Sequence, residues 1–362
     1  VMSESATRFV TPLTFAALSG NKAYTDMFDH ESGESMAHIL LGKEADLIIV
    51  APASAHTIAR LAGGLADDLL STTILASSSP VYVCPAMNTR MYDHPAVQEN
   101  LQKLKSYGYV VVDPDEGMMA CKEEGKGRLP EWEQVDPIFR KALSKQDLAG
   151  RKILISAGPT REAIDPARFL SNRSSGKMGY ALARVAARRG AEVTLVSGPT
   201  CLVPPVGVNT IAVQSAEDMY GAIMEYAEAA NIIIKAAAVA DYGAKDVSGV
   251  KNKKDQIGGT LELKQNPDIL FELGTKKRAG QFLVGFAAES DNLEEEGRKK
   301  LDKKNLDMIA VNNINSDNTG FEVDFNQILL LSTETSELLP FVSKEKTADM
   351  MFDRMIDAIE KG

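Results

Sequence analysis

The sequence is poor in the residues that staple small proteins or hold metals. Its 362 residues include only three cysteines, Cys84, Cys121 and Cys201. They lie far apart and form no Cys-x-x-Cys pair, which argues against a disulfide framework or a zinc site and for a reducing, cytoplasmic setting. Histidine stops early. His30, His38, His56 and His94 are the only ones, so any chemistry beyond His94 must proceed without imidazole. Basic charge is also short: 40 Lys and Arg against 50 Asp and Glu leave a formal net charge of −10. That argues against a general polyanion binder, because phosphate neutralisation needs a cationic excess. It leaves room for a local basic pocket that holds one nucleotide. No apolar run is long enough to span a bilayer. The first residues are neither basic nor followed by an apolar core, so no secretory signal is read there.

What is present is ordinary for a globular protein: 44% hydrophobic and 25% charged residues, in a length that suggests two domains or at most three. Two strand–helix systems are legible. In the first, residues 46–51, 81–85 and 109–112 read as short strands, with helical stretches near 57–61, 67–76 and 95–106. The polar segment 144–150 reads as a linker. After it, 152–156 opens a second βαβ unit, with a crossover helix at 180–189 and a strand at 192–196. Ser215 is a candidate cap for a helix running to about residue 229. Buried strands follow at 232–235, 282–286, 308–311 and 327–331. Apolar runs of this length alternating with helices imply mainly parallel sheets covered on both faces. Residues 243–264, rich in Lys and Gly, read as a mobile flap. Asn266 and Pro267 read as an N-cap and first helical residue.

The strongest motif is AGPTREAIDPARFLSNRSSGKMG, residues 157–179. It leaves a strand, runs through a long loop and enters a helix at 174–179. Backbone N–H groups at a helix start, with two glycines for close approach, suit an anion, and Lys177 adds a positive charge. Taken alone, such glycines could equally serve a tight turn. A dinucleotide site is disfavoured, because Gly-x-Gly-x-x-Gly spacing and a carboxylate at the end of the second strand are missing. The P-loop pattern is absent too.

RFLSNRSSGKMG is followed in order by KAAAVADY, KNKK, NPDIL, GFAAES, KKNLDMIAVNNI and GFEVDFNQ. This series closely resembles the ligase half of the bacterial bifunctional phosphopantothenoylcysteine decarboxylase/phosphopantothenate–cysteine ligases of coenzyme A biosynthesis. The resemblance implies a ligase domain over 151–362 that uses CTP, with Mg2+, to join cysteine to 4'-phosphopantothenate through an acyl-cytidylate. Asn172 would contact that intermediate, Lys251 would neutralise charge as it forms, and Ala237 would pack close to it. Ser175, Gly176, Lys177 and Gly179 would line the nucleotide turn, with Asp241, Phe286 and Lys303 also at the nucleotide. Metal ligands are not assigned.

The first half carries His38, the segment PAMNTRM (85–91) and the Gly-rich segment ACKEEGKGRLPE (120–131). Separately, these are a lone histidine, a turn cap and a thiol. Together they resemble the flavin-dependent cysteine decarboxylases that form the other half of the same enzymes. That implies a flavodoxin-like FMN domain over 1–143. His38 would be the base or orienting group, Asn88 would bind the substrate carboxylate, and Cys121 would protonate the product. Ser54, Met87 and Met91 would belong to the cofactor site. Cys84, inside an apolar strand, reads as an inert thiol. Two departures stand out by this comparison: His56 where Asn is frequent, and Lys122 where Gly is usual. By the same comparison the chain opens after the family's first strand, phosphate-binding turn and helix, roughly thirty residues, so FMN is expected to bind poorly. The fold expected is α/β throughout, two Rossmann-like domains in a homo-oligomer, trimeric through the decarboxylase half and dimeric through the ligase half. The alternatives are a ligase with a purely structural first domain, and a flavoprotein-like regulatory subunit.

Overall fold

The computed structural model describes residues 1–28, 36–119, 122–251, 260–313 and 323–361. The chain divides into two compact units, Val1–Leu143 and Ser144–Gly362. No helix among the described residues is long and apolar enough to cross a membrane.

In the first unit, β1 (Ile48–Ala53), β2 (Val81–Pro85) and β3 (Val110–Val111) form a parallel sheet in that order. The helix Ala55–Gly63 follows β1. Ser54 caps it, its hydroxyl accepting from the Thr57 N–H at 3.3 Å. Ile58, Leu61 and Ala62 lie on its buried side and join Val97, Leu101 and Leu104 of the helix Pro95–Ser106 in one core. These positions recur at the three- and four-residue spacing of a single helical face. A hairpin of β4 (Asp115–Met118) and β5 (Glu124–Arg128) follows. The only tryptophan, Trp132, opens the helix Trp132–Ala142 with its ring 6.3 Å from that of Phe139.

Between β4 and β5, Lys122 holds a left-handed φ of +63° and donates its N–H to the Met119 carbonyl at 2.9 Å. This is the physical reason for glycine at such a position: a Cβ is strained there. We expect Lys122→Gly to raise the stability of this unit by about 1 kcal/mol at most, since glycine's extra unfolded-state freedom offsets part of the relief. Calorimetry of the whole chain checks it. A lowered transition would mean that the lysine side chain holds the turn.

The second unit opens with β6 (Lys152–Ala157), then a hairpin of β7 (Arg161–Asp165) and β8 (Arg168–Ser171). Next come β9 (Glu192–Ser197), β10 (Asn209–Ala212) and β11 (Ile232–Lys235). β12 (Tyr242–Ala244) pairs with β13 (Leu263–Gln265). The rest are β14 (Phe282–Glu289), β15 (Met308–Asn313), β16 (Phe325–Asn326), β17 (Ile328–Ser332), β18 (Ser336–Leu338) and β19 (Val342–Ser343).

Eight of these strands form one sheet in the order β10-β9-β6-β11-β14-β15-β17-β18. Neighbours are parallel from β10 to β15, and β17 and β18 add an antiparallel edge. Successive side chains alternate between faces. Ile153 and Ile155 therefore face the helices Lys177–Arg188 and Lys344–Lys361, while Leu154 joins the core under Ala216–Ala227, Ile269–Thr275 and Leu293–Lys303. Each fully buried Ile or Leu contributes about 1.5–3 kcal/mol. With both faces covered, KILIS and IIIK carry no polar alternation, as buried parallel strands should not.

The structure differs from the sequence reading at several places, among them the β7–β8 hairpin, which falls in the expected long loop. The segment 144–150 is not a free linker: Leu148 is fully buried, and Asp147 meets the buried Arg189 guanidinium at 2.6 Å. A buried guanidinium requires carboxylates, and this segment supplies one. The cap of the helix Ile269–Thr275 is Asp268, not Asn266. Asn266 instead sends its amide to the Ala240 carbonyl at 2.8 Å. The ends of the expected flap are held by the β12–β13 pairing and by a Lys245–Glu262 ion pair at 2.9 Å, while residues 252–259 lie outside the described ones.

Candidate active site

In the large sheet β9 and β10 lie to one side of β6, and β11, β14 and β15 to the other. The strand order reverses between β6 and β11. Crevices at such reversals, beyond the C-terminal strand ends, are where open α/β sheets bind ligands. A cavity of about 490 Å³ lies there, lined by residues from the ends of β11, β14 and β15 and from the start of the helix Lys177–Arg188.

That helix begins against the end of β6. Gly176 is its cap at φ +77°, and a Cβ on Gly176 would meet the Thr200 side chain at 2.8 Å. A Cβ on Gly179 would stand 2.5 Å from the Ala157 Cβ and 3.0 Å from the Ser156 carbonyl oxygen. Only glycine lets helix and strand approach so closely, and the approach brings the helix start, Gly176–Gly179, to the cavity wall, where a helix N-terminus favours an anion. Lys177, the first helical residue, ion-pairs with Asp324 at 2.7 Å.

The β7–β8 hairpin delivers Asn172. Its amide donates to the Ala238 and Val239 carbonyls at 3.3 and 3.0 Å. The loop after β11 is fixed from below as well: the Ala237 N–H donates to the Ser156 hydroxyl at 3.2 Å and the Ala240 N–H to the Thr160 hydroxyl at 3.0 Å. Hairpin, loop and helix start therefore present a rigid polar rim.

Five lysines line the cavity: Lys177, Lys235, Lys300, Lys304 and Lys344. Lys304 pairs with Asp268 at 3.0 Å, and Lys300 with Glu289. Burial pushes Lys235 down to about 7, helped by the charge of Lys304 and resisted by Asp268 and Asp241. Burial and the charge of Lys177 push Lys344 down to about 8, against Asp324. Asn312, at the end of β15, turns a buried Oδ1 with no partner among the described residues into the same region.

Of the residues expected here, Asn172, Gly176, Lys177, Gly179, Ala237, Asp241 and Phe286 all line the cavity, whereas Ser175, Lys251 and Lys303 do not. Lys303 is exposed; Lys300 and Lys304, one helical turn apart, share the inward face. Lys251 is exposed at the edge of the described part of the flap, and the rest of KNKK lies outside the described residues. Lys235, Lys304, Lys344 and Asn312 were not anticipated. Lys235 did leave a signal, as the one charge that ends an otherwise all-isoleucine strand.

The first unit holds a shallower cavity of about 460 Å³ beside Met87, Asn88, Met118, Met119, Gly127 and Arg128. Asn88 caps the short helix Thr89–Tyr92 and donates its amide to the Glu123 carboxylate at 2.7 Å. A carboxylate thus already lies on the amide expected to bind one. Met87 is held to β5 by its N–H, which donates to the Gly127 carbonyl at 2.9 Å. Any Cβ on Gly127 would stand 2.1 Å from the Met87 oxygen. Ser54 is committed to its cap, and Met91 is half exposed. His38 lies in the helix Ala37–Glu44, with a buried Nδ1 that has no partner among the described residues. Cys121 lies outside the described residues, though both arms of its hairpin are described. Burial pushes the Cys84 thiol up to about 11, so it stays protonated.

Family models match both units. The DNA/pantothenate metabolism flavoprotein C-terminal domain matches residues 148–359, and the flavoprotein family matches residues 1–143. The fold is thus that of a flavoprotein-type α/β unit followed by this C-terminal domain. The chain belongs to the family of the coenzyme A biosynthesis bifunctional protein CoaBC. It is 49% identical to that protein of Bacillus subtilis (strain 168) over 349 residues, covering 95% of this chain and 86% of the relative. It is 43% identical to that of Escherichia coli (strain K12) over 359 residues, covering 98% and 88%. The crystal structure of the C-terminal domain of a CoaBC matches with a TM-score of 0.52 at 42% identity, covering 60% of this chain and all of that one.

Proposed function

We propose that this chain carries out two steps of coenzyme A biosynthesis. Its second unit ligates cysteine to 4'-phosphopantothenate at the expense of CTP, and its first unit decarboxylates the resulting phosphopantothenoylcysteine with FMN. The observation that carries the ligase reading is the meeting, at one sheet reversal, of a helix N-terminus, the Asn172 hairpin and five lysines, in a unit without histidine. Such an array positions and neutralises phosphates rather than relaying protons.

The substrate carboxylate attacks the α-phosphate of CTP and pyrophosphate leaves. The cysteine amine then displaces CMP from the acyl carbon. The helix start and Lys177 would cradle phosphate, with Asn172, Ala237 and Asp241 at the acyl-nucleotide. Among the described residues no three His, Cys, Asp or Glu side chains cluster to hold a metal. The lining of lysines with scattered carboxylates fits a hydrated Mg2+ carried in on the triphosphate, where it would neutralise phosphate charge.

In the first unit Met87 and Asn88 line the shallower cavity whereas His38, Ser54 and Met91 do not. The orphaned His38 nitrogen and the family resemblance support a flavin held by Ser54, Met87 and Met91. The flavin supplies reversible hydride acceptance, which creates the electron sink that decarboxylation needs. His38 orients or deprotonates the reacting cysteine unit, Asn88 holds the leaving carboxylate once Glu123 swings aside, and Cys121 returns a proton to carbon.

Mass-spectrometric product analysis with 4'-phosphopantothenate, cysteine and CTP tests both steps. Phosphopantothenoylcysteine and then 4'-phosphopantetheine are expected, and failure to form the first would end the ligase reading. One substitution isolates the site. Asn172→Asp sets a carboxylate against two carbonyl oxygens that now accept from the amide. Ligation should fall roughly 100-fold, the scale of a charge left unmatched, with pyrophosphate release outrunning product. Normal product formation would remove Asn172 from the site.

A further inference from the structure

The large cavity holds an ammonium, that of Lys235, whose position nothing above explains. Lys235 ends β11 at the strand reversal, is 8% exposed and lines the cavity. Lys177, Lys300 and Lys304 each have a carboxylate at ion-pair distance. Lys235 has none among the described residues. Among the described residues its Nζ donates to a single acceptor, the Ala237 carbonyl at 3.2 Å. An ammonium carries three donors, and a buried cation without a counter-charge is costly. A leucine or isoleucine there would continue the strand at no such cost.

We propose that Lys235 is a ligand-binding residue whose missing counter-charge is a phosphate oxygen of the bound substrates, so that binding completes an ion pair that the free protein leaves open. The proposal rests on the ligase reading of this cavity and adds to it both a contact and a proton. The groups facing Lys235 come from three other places: Lys304 at the end of Leu293–Lys303, Asp268 at the cap of Ile269–Thr275, and Asp241 in the loop after β11. Burial and Lys304 hold the amine down to about 7, with the two aspartates opposing. A phosphate arriving beside it favours the charged form. Above neutral pH, binding should therefore draw a proton from solvent. Below about pH 6 the amine is already charged and no uptake is expected.

The test is isothermal titration of the whole chain at pH 8, with CTP and with 4'-phosphopantothenate in separate arms, each in buffers of different ionisation heat. The parent should take up close to one proton, roughly, with whichever compound brings the phosphate. Lys235→Met should lose that uptake and weaken the same compound by roughly 10- to 100-fold, while its thermal midpoint stays level or rises because a buried charge is gone. Lys235→Gln, which keeps a donor without the charge, is the second variant and should weaken binding as well. Lys235→Arg should recover part of the affinity and still show no uptake, because a guanidinium never titrates here. Parent-like affinity for both compounds in Lys235→Met and Lys235→Gln overturns the proposal, as does uptake that survives in them. A parent that binds neither compound fails at the ligase reading itself, a result distinct from variants that bind as the parent does.

Discussion

Replacing Arg189 with alanine is expected to lower the stability of the second unit by about 3 kcal/mol, a midpoint drop of roughly 6–12 °C for a unit of this size. The guanidinium is almost wholly buried and meets three carboxylates, Asp147 at 2.6 Å, Asp353 at 2.9 Å and Asp349 at 3.2 Å. It thereby ties the segment after Leu143 and the last helix to the helix Lys177–Arg188, and the guanidinium lies over the Phe352 ring, 6.0 Å from its centroid. Without it the three carboxylates repel one another. They are about 30% exposed, so water recovers part of the loss, which is why the lower end of the range for a broken buried pair applies. The sign with pH follows from Asp147. Hydrogen bonding to Arg189 holds its carboxyl below the usual value. Its contribution is fully present above the unfolded carboxylate range and fades as pH falls through the lower folded value. The difference between parent and variant should therefore shrink in acid. Calorimetry at neutral and acid pH measures both; equal midpoints at neutral pH would show that the cluster is a surface ornament.

Gly179→Ala should damage activity more than stability. The added carbon would stand 2.5 Å from the Cβ of Ala157, a rigid neighbour on β6. Helix and strand must separate, at a cost of about 1–3 kcal/mol in overpacking. The helix start moves with them, and it carries the N–H groups and Lys177 that address the cavity. A displacement of about 1 Å from a reacting geometry can cost 100-fold. We expect kcat/KM for ligation to fall by about that factor while the midpoint drops only a few degrees. Parent-like kcat/KM would show that phosphate is held elsewhere.

The buried strands were legible because nothing polar interrupts them. Ile232–Ile234 and Ile153–Ile155 could hardly be anything else. Ser215 was legible for a local reason: its hydroxyl accepts from the Asp218 N–H while the Asp218 carboxylate accepts in return from the Ser215 N–H. The β7–β8 hairpin was not, although it lies inside the strongest motif and read as a loop. Its inward positions include Glu162 and Asp165. Those carboxylates are buried because they accept backbone N–H groups of Ala216 and of Ala167 and Arg168, partners that hydrophobic alternation cannot reveal. The cavity was half legible. Motif residues on the helix start and the loop after β11 were found. Lys304 was missed in favour of Lys303, because adjacent lysines on one helix look alike until the inward face is known. Lys344 was missed because only the tertiary fold brings the last helix to the end of β11's neighbours.

The position of Trp132 has an optical consequence. It is the chain's only indole and belongs to the first unit, so selectively excited emission reports that unit and is blind to the second. Ellipticity in the far ultraviolet sums over both. Coincident transitions by the two signals would mean that the units melt as one, and divergent ones that they melt apart. The intact chain thus carries its own label for asking whether flavoprotein and ligase halves share their fate.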